Sequence, residues 1–186
     1  MSRPREREVA FAAYLAELAR DRRLAALAAL RRGLGKHPGE APEMFPYIVP
    51  WLPAKCGWWE ERAYYAIGAC FAAHQLTWAP DDASGPTNFG ASLARLAAVT
   101  QSGGVERRVL ALLNCHRDDL PAHLAHLVTL LKSKEIAVDW AQLLHDIRQW
   151  DREDRLVQRE WAGAFWTPFE PDSAQAAQPA GETVTA

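Results

Sequence analysis

Apolar residues recur every three or four positions along most of this chain, and nowhere do apolar and polar residues alternate over the length of a strand. Val9, Ala12, Leu15 and Leu18 predict an amphipathic helix over residues 5–20. Leu24, Leu27, Leu30 and Leu34 form a second stripe, with Asp21 as the expected cap and Gly33 and Gly35 as the stop. Prolines 38, 42, 46, 50 and 53 allow only short helical pieces in an irregular connection. Residues 58–78 read as a long helix with Tyr64, Ile67, Phe71 and Trp78 on one side and Tyr65, Ala69, Ala72 and Leu76 opposite. A helix that is apolar all round is a buried one.

A polar stretch at 79–88 separates this half from helices expected at about 89–101, 105–116, 119–132, 139–150 and 153–165. Asp139 is placed to cap its helix, and Pro121 falls in a first turn. After Thr167 the chain turns to Pro, Ala, Gln, Ser and Thr, the composition of a disordered tail. The expected fold is all-α, two small helical bundles: an N-terminal domain over 1–80, a linker loop at 81–88, a C-terminal bundle over 89–166 and a tail over 167–186.

Composition narrows the function classes. With 186 residues, 49% hydrophobic and 24% charged, the chain is long and apolar enough to bury a core, which excludes a disordered polymer or a disulfide-held miniature. Its longest apolar stretch, 63–73, is too short to cross a bilayer, and the charged residues 1–8 lack the apolar run of a secretory signal. Cys56, Cys70 and Cys115 form no CxxC pair. The expectation is a cytoplasmic protein with reduced thiols and no membrane contact.

Candidate chemistry is sparse. His123 and His126 share a helix face, but no HExxH or CxxC supplies the remaining ligands of a metal site. His74, among Phe71, Gln75 and Trp78, reads as a hydrogen-bonded core histidine. Gly33-Leu34-Gly35 lacks the GxxxxGK[ST] pattern of a phosphate loop. The adjacent pairs Glu60-Glu61, Asp81-Asp82 and Asp118-Asp119 point about 100° apart on a helix and suit caps better than acid–base work. No enzyme, metal or cofactor is expected.

Charge is the more informative quantity. The net charge of −2 conceals +5 over residues 1–36, −4 over 37–89, +1 over 90–150 and −4 over 151–186. Arg31 lies close to the leucine stripe of its helix, Arg32 at its flank, and Arg62 alone on the apolar central helix. Arg95 is alone among Ala, Leu and Val; Arg107 points outward and Arg108 lies at the edge of its stripe. Lys132 and Lys134 end another helix, where a cation also suits the macrodipole. Spaced cations on several helices are what a groove tracking a phosphate backbone requires, and equally what a subunit docking on acidic partners would show.

Several segments, taken together and in order, resemble the CasB family, the small subunit of the type I-E CRISPR Cascade surveillance complex. They are Leu30-Arg31-Arg32-Gly33, the run from Ala63 to His74, Asn88 to Leu96, Glu106 to Leu113, His123 to Ser133, and Ile136 through Trp150 to Trp161 and Trp166. The resemblance implies a non-catalytic all-helical protein, present in two copies beside the backbone and large subunits. It implies contact with the crRNA and target DNA and a hold on the displaced non-target strand of the R-loop. Arg31, Arg32, Arg62, Arg95, Arg107, Arg108, Lys132 and Lys134 are the positions it marks as strand-contacting. The alternative is a helical protein-binding adaptor that touches no nucleic acid; a third, an enzyme using His123 and His126, would carry a metal.

Overall fold

The computed structural model describes residues 3–78, 85–101 and 103–167. Among them are nine α-helices: α1 (Glu6–Arg20), α2 (Leu24–Arg31), α3 (Phe45–Ile48), α4 (Trp58–Ala73), α5 (Phe89–Thr100), α6 (Gly103–Asn114), α7 (Leu120–Ser133), α8 (Trp140–Arg148) and α9 (Leu156–Trp166). The 3₁₀ turns Pro42–Met44 and Val49–Trp51 flank α3 in the proline-rich connection. The fold is all-α. The first half of the expected linker, 81–84, and all of the expected tail beyond Thr167 lie outside the described residues.

The apolar-all-round helix, α4, is central, with Ala63, Tyr64, Ile67 and the run 69–72 buried. It packs on α2 from the first half and on α7 and α8 from the second, while α1 also packs on α8. One continuous cluster of buried side chains thus runs from Phe11 to Trp161. A second close pairing joins α5 to α9. Gly90 makes it possible: a Cβ there would stand 2.7 Å from Trp161 Cα and run into its carbonyl oxygen. At Gly33 the flexible end of the Met44 side chain fills the space a Cβ would take, and Gly35 serves the turn with φ +75°.

Two expected boundaries move. The long helix stops at Ala73, five residues early, because residues 74–78 turn extended and pair with the stretch before α8. Val138 N–H donates to Leu76 O at 3.2 Å, and Thr77 and Val138 form a parallel bridge. Trp140 Nε1 also donates to Leu76 O, at 3.1 Å. Those bonds replace the helical ones that Leu76 and Trp78 would have made. Asp21 does not cap α2; it closes α1, and left-handed Arg22 (φ 52°) separates it from Arg23, the residue at the α2 cap. Asp139 caps α8 as expected, accepting Gln142 N–H at 2.9 Å.

A buried ionic cluster fastens α1 to α4 and α8. Glu8, 1% exposed, faces His145 Nδ1 at 2.9 Å and pairs with Arg148, whose other arm meets Glu60. None of the described helices is long and apolar enough to cross a membrane.

Candidate nucleic-acid interface

The basic residues singled out from the sequence fall into three groups. The first gathers around the end of α4 and the extended residues 74–78. Arg31, the last residue of α2, stays exposed while its Nε and Nη2 both donate to Ala72 O, at 3.1 and 2.9 Å. A guanidinium on the last carbonyls of α4 also answers the negative end of that helix. His74 follows, 2% exposed, with Nε2 donating to Ile136 O at 2.6 Å. It is the hydrogen-bonded core histidine expected. Burial is the main force lowering its pKa, and the charge of Lys132 acts in the same direction. Lys132 and Lys134 are both exposed at the end of α7, and Lys134 lies two residues before Ile136.

At the far end of the segment, the Arg95 guanidinium carbon stands 3.5 Å from the centre of the Trp78 ring. Trp78 Nε1 donates to Ser92 Oγ at 3.4 Å, and Ser92 Oγ donates to Ala137 O at 2.9 Å, so α5 is locked to the bridge. Arg31 and Arg95 thus stand at the two ends of the extended residues 74–78, about 17 Å at full stretch, with Lys132 and Lys134 just before the residues that pair with them. Glu135, exposed and left-handed at φ 53°, puts a carboxylate on the same turn.

The second group, Arg107 and Arg108, lies on the exposed side of α6. Arg108 donates from Nε to His126 Nε2 at 3.1 Å and from Nη1 to Gly104 O at 2.8 Å, across the α6–α7 hairpin. Lys132 and His126 are six positions apart on α7, about 120° of turn, so the two groups occupy different flanks of that helix. Arg32 is apart from both, exposed and 3.4 Å from Glu43.

Arg62 is a third case, and its burial takes it out of the set. Its side chain is 7% exposed, with Nη2 donating to Asp118 O at 2.7 Å and Nη1 facing Asp118 Oδ1 at 3.3 Å. It ties α4 to the start of α7 and has no arm left for a strand. Arg148 is likewise committed, to Glu8 and Glu60. Trp78 is what the sequence reading missed: taken as one more core tryptophan of a helix, it carries the stacked Arg95. Its signal was indirect, since only the pairing with Val138 pulls it out of the helix.

Nothing else among the described residues assembles into chemistry. No group of three or more His, Cys, Asp or Glu side chains is placed to hold a metal ion there. Burial pushes the Cys70 thiol up to about 12 and the Cys115 thiol up to about 11, the reverse of an activated nucleophile.

Comparison with known proteins gives the architecture a lineage. A sequence profile described as CRISPR-associated protein Cse2 matches residues 26–166, from within α2 to the end of α9. The chain belongs to the Cse2 family. It is 35% identical over 146 residues to the CRISPR-associated protein Cse2 of Thermus thermophilus, an alignment covering 76% of this chain and 79% of that protein. Among solved structures, CasB of M. ruber superposes with a TM-score of 0.72 at 31% identity, covering 87% of this chain and 93% of that one. A chain of a CRISPR RNA-guided surveillance complex superposes equally well, TM-score 0.72 at 30% identity, covering 86% and 91%. The CasB resemblance drawn from the sequence is thereby confirmed.

Proposed function

We propose that this Cse2-family chain is a non-catalytic subunit of a Cascade-type surveillance complex and helps hold the displaced DNA strand of the R-loop. The observation that carries the reading is the meeting of Arg31, Lys132, Lys134 and Arg95 around the end of α4 and the extended residues 74–78. Each comes from a different helix or from a helix end, so only the packing of α2, α4, α5 and α7 makes them neighbours. The similar chain solved in a CRISPR RNA-guided surveillance complex supports that setting. The partners we propose for this chain are crRNA, target DNA, the backbone and large subunits and a second copy of itself.

The energetics suit such a role. Exchanging a DNA duplex for a guide–target duplex is nearly balanced, so a few strand contacts tip it. Four cations on a single strand predict a slope of log affinity against log salt of at most about −3. Arg107 and Arg108 form a second basic patch, and Arg32, already facing Glu43, a weaker outlier. Arg62 serves the fold instead.

The test is to assemble the complex with Arg31→Ala, Lys132→Ala and Arg95→Ala singly and together, then footprint the displaced strand on a bound target. Reduced protection and a shallower salt slope are expected, by about 0.7 per contact removed. Unchanged protection in the triple variant would favour the other reading, a helical adaptor that meets acidic protein surfaces only.

A further inference from the structure

A groove of about 710 Å³ lies between α5 and α9, lined by Ala94 and Ala98 of α5, Ala164 and Phe165 of α9, and Trp78. The lining is mostly apolar, and the volume is in the range that encloses a small ligand or a few side chains. Arg95 brings a cation to it, stacked on Trp78 with the guanidinium carbon 3.5 Å from the ring centre. A guanidinium stacked on an indole presents its N–H donors at its own edge, where a carboxylate meets them. Thr167, the last described residue, also lines the groove, with an extended backbone at φ −98°, ψ 106°. The residue before it, Trp166, is tied to α6 by its indole bond to Glu106 at 3.3 Å, which fixes where the chain leaves α9. We infer that residues 168–172 of this chain dock back into the groove, Phe169 on the apolar lining and Glu170 and Asp172 at Arg95.

Reach and composition both favour this occupant. From Thr167 the chain spans at most about 7 Å to Phe169 and about 18 Å to Asp172. Pro168-Phe169-Glu170-Pro171-Asp172 offers one aromatic ring and then two carboxylates, the complement of an apolar groove that holds a cation. Residues 168–186 carry three carboxylates and no Lys or Arg, and Phe169 is their only aromatic residue. The two prolines fix φ near −65° and bias the residues before them toward extended backbone, so the segment has less freedom to lose on docking. Attachment to the groove wall gives the segment an effective concentration of about a millimolar, enough for a contact too weak to hold a free peptide. The family profile ends at residue 166, so the segment lies beyond what the resemblance covers. The docking stands apart from the strand-holding reading, but its consequence rests on that reading. The carboxylates of the tail and the phosphates of a displaced strand compete for Arg95, and the docked tail holds the strand site closed at that end.

The experiment is fluorescence anisotropy of the full chain with a labelled synthetic peptide of residues 167–173. The wild type keeps its groove filled, whereas Phe169→Ala empties it. Burial of a phenylalanine ring is worth roughly tenfold or more in such an equilibrium, so the peptide should bind the variant about tenfold more tightly than the wild type. Ala98→Glu, added to Phe169→Ala, places a carboxylate in the groove and should abolish that binding; Ala98 is exposed, and equal thermal unfolding checks the fold. A labelled oligothymidylate of about 15 nucleotides should also bind Phe169→Ala a few-fold more tightly than the wild type, although the substitution changes no charge. Failure of the peptide to bind Phe169→Ala, or equal binding to variant and wild type, overturns the docking and leaves the strand-holding reading standing. A dimer in sedimentation that Phe169→Ala dissociates would seat the segment on a second copy and overturn docking within one chain. If the peptide behaves as expected but the oligonucleotide binds neither protein, the docking is upheld and the strand-holding reading fails. If the oligonucleotide binds both equally, the competition for Arg95 is overturned.

Discussion

Asp146 offers a quantitative test of how the second half of the chain is held together. Only 2% exposed, it lies between α8 and α9, with Oδ2 accepting Trp161 Nε1 at 2.6 Å and Oδ1 accepting Gln142 Nε2 at 2.7 Å. Those bonds favour the charged form, but burial outweighs them and pushes the carboxyl up to about 7. In the unfolded chain an aspartate ionises near 4. Between about pH 4 and pH 7 the folded state therefore keeps a proton that the unfolded state has released, and stability falls as pH rises through this window. The loss is about 1.4 kcal/mol per pH unit, roughly 4 kcal/mol in all, with no further change above pH 7. Asp146→Asn removes the titration, and the Gln142 amide can turn its oxygen toward the new NH₂. Denaturant unfolding of both proteins from pH 4 to pH 8 gives a difference curve in which the variant gains on the wild type by about 4 kcal/mol. In melting temperature that is on the order of 10 °C for a chain of this size. A flat difference curve would falsify the placement of Asp146 as a desolvated carboxyl between the two helices.

Three further outcomes follow from single side chains. Gly90→Ala forces α5 away from the Trp161 backbone, which cannot retreat as a flexible side chain would; a loss of about 3 kcal/mol or more is expected in chemical unfolding. Arg62→Met removes the donors that Asp118 receives from α4, and should cost about 1–3 kcal/mol of stability while leaving strand protection in the assembled complex unaltered. Glu135→Gln deletes the carboxylate from the turn between Lys132, Lys134 and Ile136; oligonucleotide affinity should rise a few-fold at low salt and converge with the wild type at high salt.

Much of the helical order could be read from periodicity alone, because each helix buries one stripe or, in α4, its whole circumference. Boundaries were legible only where a residue acts locally. Asp139, whose side chain caps the start of α8, and Gly35, whose positive φ turns the chain after α2, are of that kind. The end of α4 was not: nothing local in Gln75-Leu76-Thr77-Trp78 opposes a helix, and what unwinds it is a carbonyl and an amide of Val138, some sixty residues later. The same distance problem governs the candidate site. The sequence could nominate Arg31, Arg62, Arg95 and Lys132 as isolated cations among apolar neighbours, but it could not tell a buried tie from a surface contact. Arg62 meets Asp118 and Arg31 meets Ala72 O, pairings 56 and 41 residues apart in the chain.

Local patterning of apolar side chains thus determined the helices but not every buried face, since Val9 and Leu24 of the expected stripes are exposed while Glu8 and Phe11 are buried; the order of short segments determined the family. Which cations share a surface was decided only when α2, α4, α5 and α7 packed and residues 74–78 paired with 136–138. Burial acts residue by residue along the chain, whereas an electrostatic surface depends on distances between groups that only the folded chain brings within reach of one another.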